Sequence, residues 1–174
     1  MRGITGYIGN QESLWPVFNA LKKLEYRGYD SAGVAYFDFS GALLVAKRSG
    51  KLDVLEKEIC GKKSSLATAA IGHSRWATHG APTQINAHPH LDCGERIAVV
   101  HNGIIENYAE LKLKLEKLGH KFKSETDTEV VPHLIEENLK IIKNFEKAFV
   151  AALSVVRGAY ALAVIDATEP DAIY

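Results

Sequence analysis

The sequence predicts one α+β domain over residues 1–174, and three observations predict it. Hydrophobic residues make up 47% of the 174, enough to bury a core of ordinary domain size. Apolar periods of strand type and of helix type both occur, in separate stretches. Their order is strand–helix, hairpin, strands, helices, strand. Strict βαβ alternation is missing, so sheets and helices should form separate layers.

Residues 3–8 read as a short buried strand closed by Gly9-Asn10. Ser13 is placed to cap a helix running to about residue 26, whose apolar positions Leu14, Val17, Phe18, Leu21 and Leu24 fall at helical spacing. Residues 32–39 and 42–47 are strand-like runs around Ser40-Gly41, which predicts a hairpin. Residues 52–59 make a short helix, and 68–74 and 97–101 are inner strands. A further helix spans 106–118, with Leu111, Leu115 and Leu118 on one face and Gly119 as its stop. Thr126 to Glu129 has the capping-box pattern ahead of a helix reaching residue 142. Phe145, Ala148, Phe149, Ala152, Leu153 and Val156 define an amphipathic helix. Gly158 breaks it, and residues 159–166 form a last strand.

Lys+Arg and Asp+Glu number 21 each, so the formal net charge is zero. Without a clustered basic patch, nucleic acid is not an expected partner. The mixed-charge run 112–117 reads as a solvated helix face. Cys60 and Cys93 lack paired spacing, which argues against a disulfide framework and for a reducing compartment. The first residues lack a signal-peptide layout. Apolar runs such as 160–165 are far shorter than the roughly 20 residues a membrane span needs. A soluble cytoplasmic protein with no membrane partner is expected.

Four segments are too specific in composition to be filler: residues 27–33 (RGYDSAG), 73–80 (HSRWATHG), 101–108 (HNGIIENY) and 124–129 (SETDTE). Each has a plain structural explanation when taken alone. Asn102-Gly103 suits a turn, Asp127 suits a helix N-terminus, and Trp76 could fill a core. His88-Pro89-His90 could be half a metal site, but two histidines without further ligands at the right spacing read better as a loop. Cys93 lies among Asp92, Gly94 and Glu95, an acidic setting that disfavours a thiolate, so both cysteines read as inert. Taken together the segments supply a different set of parts. An arginine can grip a carboxylate in two-pronged fashion, an aspartate can pair with an ammonium group, and an asparagine amide with a glycine N–H can form an oxyanion hole. Such parts would hold an α-amino acid by both ends and stabilise a tetrahedral intermediate at its side-chain carbonyl.

On these motifs, and on GITGYIG at residues 3–9, the chain resembles the class II glutamine amidotransferases of the N-terminal-nucleophile hydrolase type. RGYDSAG and HSRWATHG point to the branch that makes glucosamine 6-phosphate, and against an asparagine-synthetase type. The match covers residues 3 to about 129, with a weaker piece at Gly158-Ala159-Tyr160-Ala161. The resemblance implies a four-layer αββα sandwich with its site at the end of the two central sheets. It implies that Arg75 holds the α-carboxylate of L-glutamine and Asp127 its α-ammonium. Asn102 and Gly103 would form the oxyanion hole, Trp76, Thr78, His79 and Gly80 would line or close the pocket, and Arg27 and Asp30 would support it. No metal or organic cofactor is implied. Ammonia would pass to a sugar isomerase domain of the same parent chain, and the full-length protein would be a homodimer.

The sequence departs from this family twice. Residue two should be the nucleophilic cysteine, exposed by removal of the initiator methionine, with its α-amine as proton shuttle. Here it is Arg2, a guanidinium that stays protonated below pH about 12 and is no nucleophile. The resemblance also implies a domain continuing past Tyr174, so the chain is expected to be C-terminally truncated. The alternative to a disabled enzyme domain is a non-catalytic glutamine-binding or interaction domain.

Overall fold

A computed structural model describes residues 3–66, 68–76 and 80–174, without the side chain of Arg27. Two antiparallel sheets stack face to face. The first has the order β1-β4-β2-β3, built from β1 (Gly3–Tyr7), β4 (Ala70–Arg75), β2 (Ser31–Phe37) and β3 (Leu43–Ser49). The second has the order β5-β6-β7, built from β5 (His90–Leu91), β6 (Ile97–Gly103) and β7 (Tyr160–Asp166).

Side-chain alternation divides the core into three slabs. On β2, Ala32, Val34 and Tyr36 face the helices α1 (Leu14–Lys23) and α2 (Leu52–Ile59), where Leu14, Phe18, Leu21 and Leu55 cover them. Ala35 and Phe37 of the same strand point the other way and meet Ala98, Val100 and Ile165 of the second sheet. On β6, Ile97 and Val99 turn outward and pack under α3 (Tyr108–Lys117), α4 (Val130–Ile142) and α5 (Phe145–Ser154). The layers are therefore αββα, as the resemblance implied.

Several local expectations change in three dimensions. Ser13 occupies the N-cap position of α1, but its side chain makes no capping bond. The exposed donors go elsewhere: Ser64 Oγ accepts from the N–H groups of Ser13 (2.6 Å) and Leu14 (3.0 Å). The capping box at Thr126 also fails to close. A 3₁₀ turn, Asp127–Glu129, precedes α4, and the Glu129 carboxylate reaches back further, to the N–H groups of Lys123 (2.7 Å) and Ser124 (2.6 Å). Leu118 lies outside the apolar face of α3 and is 57% exposed, because the helix ends at Lys117. His90 belongs to β5, paired with Val99, not to a loop.

Candidate functional site

The site lies where the C-terminal ends of β4 and β6 meet. Antiparallel pairing of Gly3 with Ser74 and Ile4 with His73 brings the start of β1 to the same end of the first sheet. His73 is fully buried, and its Nε2 lies 2.9 Å from Asn102 Oδ1 on the neighbouring sheet. That bond requires His73 to donate, which engages the amide oxygen and leaves the Asn102 amide nitrogen as a donor. Sequence reasoning missed His73, because its role depends on two sheets coming into contact.

Gly103 ends β6 at a backbone φ of +133°. A Cβ there would stand 2.2 Å from the Ala159 carbonyl oxygen and 2.7 Å from Tyr160 Cα. Only glycine lets β6 run this close to β7 while aiming its backbone at the sheet end. Two residues on, the Ile105 N–H donates to Asp127 Oδ2 at 2.7 Å. Asp127 is 5% exposed, so the turn after β6 and the 3₁₀ turn before α4 are tied by a buried carboxylate.

Arg75 closes β4 and is also buried, at 2% exposure. Its guanidinium donates to the carbonyls of Gly80 (3.2 Å) and Ala81 (3.3 Å), and Asp30 Oδ1 lies 3.9 Å away. Asp30 is itself fixed by main-chain bonds, its N–H to the Arg75 carbonyl (2.8 Å) and its carbonyl to the Gly50 N–H (2.7 Å). The segment after Gly80 is held by Asn86, a second residue that sequence reasoning missed. Its amide donates to Ala81 O (3.0 Å) and Glu125 Oε2 (3.1 Å) and accepts from the Glu125 N–H (3.0 Å). Trp76 is 53% exposed and is therefore not a core residue. Its ring covers Gly28, where φ is +73° and a Cβ would lie 2.8 Å from Cζ3. Thr78, His79 and Arg2 lie outside the described residues, as does the side chain of Arg27.

One end of the paired sheets thus gathers a buried guanidinium, a buried carboxylate, an oriented amide and a glycine main chain. A four-layer αββα core with this polar end is the architecture of an amidotransferase. The chain belongs to the glutamine amidotransferase domain family, whose model matches residues 73–174. Among curated relatives it is similar to enzymes named glutamine–fructose-6-phosphate aminotransferase (isomerizing). Identity is 52% with that of Pyrococcus horikoshii, over all of this chain and 29% of the relative. It is 50% with that of Streptomyces coelicolor, over 99% of this chain and 28% of the relative. The chain therefore spans less than a third of the length of these relatives. Among solved structures, glutamine phosphoribosylpyrophosphate amidotransferase from B. subtilis superposes with a TM-score of 0.78 at 28% identity, over 96% of this chain and 35% of that one. A glutamine aminotransferase class-II domain protein from Silicibacter pomeroyi shares the fold, with a TM-score of 0.55 at 17% identity. No helix among the described residues is long and apolar enough to cross a membrane.

Proposed function

We propose that this domain is built to hydrolyse L-glutamine and to supply ammonia for making glucosamine 6-phosphate from fructose 6-phosphate, and that Arg2 disables the step. The observation that carries the reading is the His73–Asn102 bond beside Gly103. It engages the Asn102 amide oxygen, so that the amide nitrogen, with the Gly103 main chain beside it, would serve as the kind of preorganised donor group that stabilises the oxyanion of acyl transfer. Arg75 would take the glutamine α-carboxylate and Asp127 its α-ammonium, while Trp76, Thr78, His79 and Gly80 line the pocket and Arg27 and Asp30 support it. The nucleophile would attack the side-chain carbonyl carbon. The C–N bond would then break, with the departing nitrogen protonated as ammonia, and water would release glutamate from the acyl-enzyme.

Arg2 cannot take the nucleophile's part. Loss of a catalytic nucleophile can lower kcat by on the order of 10⁶. The same reading places the parent protein in the cytoplasm as a homodimer whose isomerase part receives the ammonia. Relatives more than three times the length of this chain, named as isomerizing enzymes, support the presence of such a further part in the parent protein.

The test is ammonia release by the purified chain and by an Arg2→Cys variant from which Met1 has been removed, each also joined to the remaining length of the parent enzyme. The unaltered protein should be inactive, and the variant should turn over glutamine and be labelled at residue 2 by an electrophilic glutamine analogue. Turnover by the unaltered chain that survives Cys60→Ser and Cys93→Ser would refute the assigned role of Arg2. A folded, full-length Arg2→Cys variant that is neither active nor labelled would refute the pocket. Arg2 itself favours a second reading, a glutamine-binding domain without chemistry. Calorimetric glutamine binding by a natural protein that retains Met1-Arg2 would support it.

A further inference from the structure

Away from the candidate site, Cys93, His120, His133 and Glu136 each aim one donor atom at a common point, all within 4.8 Å of one another. They come from three places in the fold. Cys93 is in the turn between β5 and β6, His120 follows α3, and His133 and Glu136 are one turn apart on α4. The separations are those of a coordination shell. Cys93 Sγ lies 3.7 Å from His120 Nδ1 and 3.6 Å from His133 Nδ1. The two Nδ1 atoms are 3.3 Å apart, and Glu136 Oε2 is 3.0 Å and 3.5 Å from them. Four ligands around a tetrahedral zinc ion, at about 2.3 Å for sulfur and 2.0–2.2 Å for nitrogen and oxygen, would be separated by about 3.3–3.6 Å.

The surroundings are those of a ligand shell as well. Each imidazole turns its other nitrogen to a carboxylate. His120 Nε2 is 2.8 Å from Glu137 Oε2, and His133 Nε2 faces Glu129 Oε1 at 3.8 Å. A carboxylate behind a metal-binding histidine holds the proton on Nε2 and leaves Nδ1 as a lone pair. The Glu137 contact sets this tautomer for His120, whose Nδ1 lone pair then faces His133 Nδ1 and the Glu136 carboxylate, an arrangement that needs a cation or a proton between them. Cys93 Sγ accepts the Lys121 N–H at 3.4 Å; burial and the nearby Glu136 and Asp92 carboxylates push the free thiol up all the same, so a bound metal ion has to displace its proton. Once metal binding has displaced the thiol proton, one thiolate and one carboxylate would balance the charge of a divalent ion.

We propose that this domain carries a structural zinc site of the Cys-His-His-Glu type, with Cys93 Sγ, His120 Nδ1, His133 Nδ1 and Glu136 as its ligands. The donor set of one sulfur, two imidazoles and one oxygen suits a borderline-soft tetrahedral ion better than magnesium or calcium, which take oxygen. Four protein ligands fill the shell, so the ion has no open position for catalysis. Its role is to pin the β5–β6 turn and the α3–α4 connection to α4, the helix that begins directly after Asp127–Glu129. On this proposal Cys93 is a metal ligand, where the sequence alone reads it as inert and implies no metal.

The test uses the chain freed of any purification tag, loaded with zinc or cobalt and passed through a desalting column. One zinc per chain should remain by elemental analysis, and the melting midpoint should rise with zinc and fall with a chelator. The cobalt form should show the intense visible bands of tetrahedral geometry and a thiolate charge-transfer band that Cys93→Ser abolishes. Glu137→Gln, which weakens the outer contact to His120 together with the surface ion pair to Lys140, should weaken zinc by about 10- to 100-fold. Should Cys93→Ser fail to fold, the cobalt spectrum of the unaltered chain decides alone. No retained zinc, or a pale octahedral cobalt spectrum without thiolate charge transfer, would overturn the site.

Discussion

Asn102 and Arg75 serve different stages of the proposed reaction, so their removal should be felt differently. In the Arg2→Cys variant, Asn102→Ala should lower kcat by about 10²–10³ with little change in KM, because an oxyanion donor acts chiefly on the transition state. Arg75→Ala should instead weaken glutamine binding, since a buried charged pair that loses one partner costs about 2–5 kcal/mol. Steady-state kinetics with glutamine as the varied substrate separates the two. Tyr29, within RGYDSAG, makes a structural prediction. Its hydroxyl donates to Glu25 Oε1 (2.5 Å) and accepts the Leu52 N–H (2.6 Å) at the start of α2. Burial, together with the bond to Glu25, pushes its phenol up to about 12. The unfolded phenol ionises near pH 10. Its contribution is therefore whole below pH about 10 and is lost as the pH rises towards about 12, where the unfolded chain has released a proton that the folded one keeps. Urea midpoints across that range should fall less steeply for Tyr29→Phe than for the unaltered chain, and equal slopes would contradict the assignment.

At the scale of elements, the start of α1, which looked self-capped, is capped from a distance. Ser64, more than one helix length away in sequence, receives the first donors of α1 and itself donates to Glu12 Oε2 at 2.8 Å. Ser64→Ala should cost about 1–2 kcal/mol, the scale of a lost cap. Ser13→Ala should cost less, because the Ser13 hydroxyl has only a 3.2 Å contact to Ser64 Oγ. Chemical denaturation of the two variants side by side checks the order. A larger loss at Ser13 would return the capping role to the local residue.

Across the whole molecule, the second sheet is fastened at its edge by one ion pair. Asp166 at the end of β7 is fully buried and accepts from Arg96 Nε (2.6 Å) and Nη2 (2.9 Å). Arg96 stands just before β6, so the pair links the opposed ends of adjacent strands. Arg96→Ala would leave the buried Asp166 carboxylate with the Thr168 hydroxyl but no cation, at a cost of up to about 3–5 kcal/mol. Arg96→Ala with Asp166→Asn should recover part of it, because an amide tolerates burial better than an unpaired charge. Thermal denaturation of the single and double variants measures this coupling.

The sequence by itself determined the layer type, most element positions and the candidate site motifs. Local periodicity fixes which side of a strand or helix is apolar, as for Val34 against Phe37 on β2 or Leu111 and Leu115 on α3. The motif residues Arg75, Asn102, Gly103 and Asp127 could be singled out from their chemistry, and the resemblance supplied their expected roles. Tertiary structure decided whatever depends on residues distant in the chain. His73 orients Asn102 because β4 and β6 lie in facing sheets, and Asn86 grips Glu125 across a span of 39 residues. The cluster of Cys93, His120, His133 and Glu136 had no readable spacing either, since its members reach one point only when a β-turn, a helix end and a helix face pack together. Side-chain periods record which face is buried, whereas the partner across that face is chosen by strand register and layer packing, which no local stretch encodes.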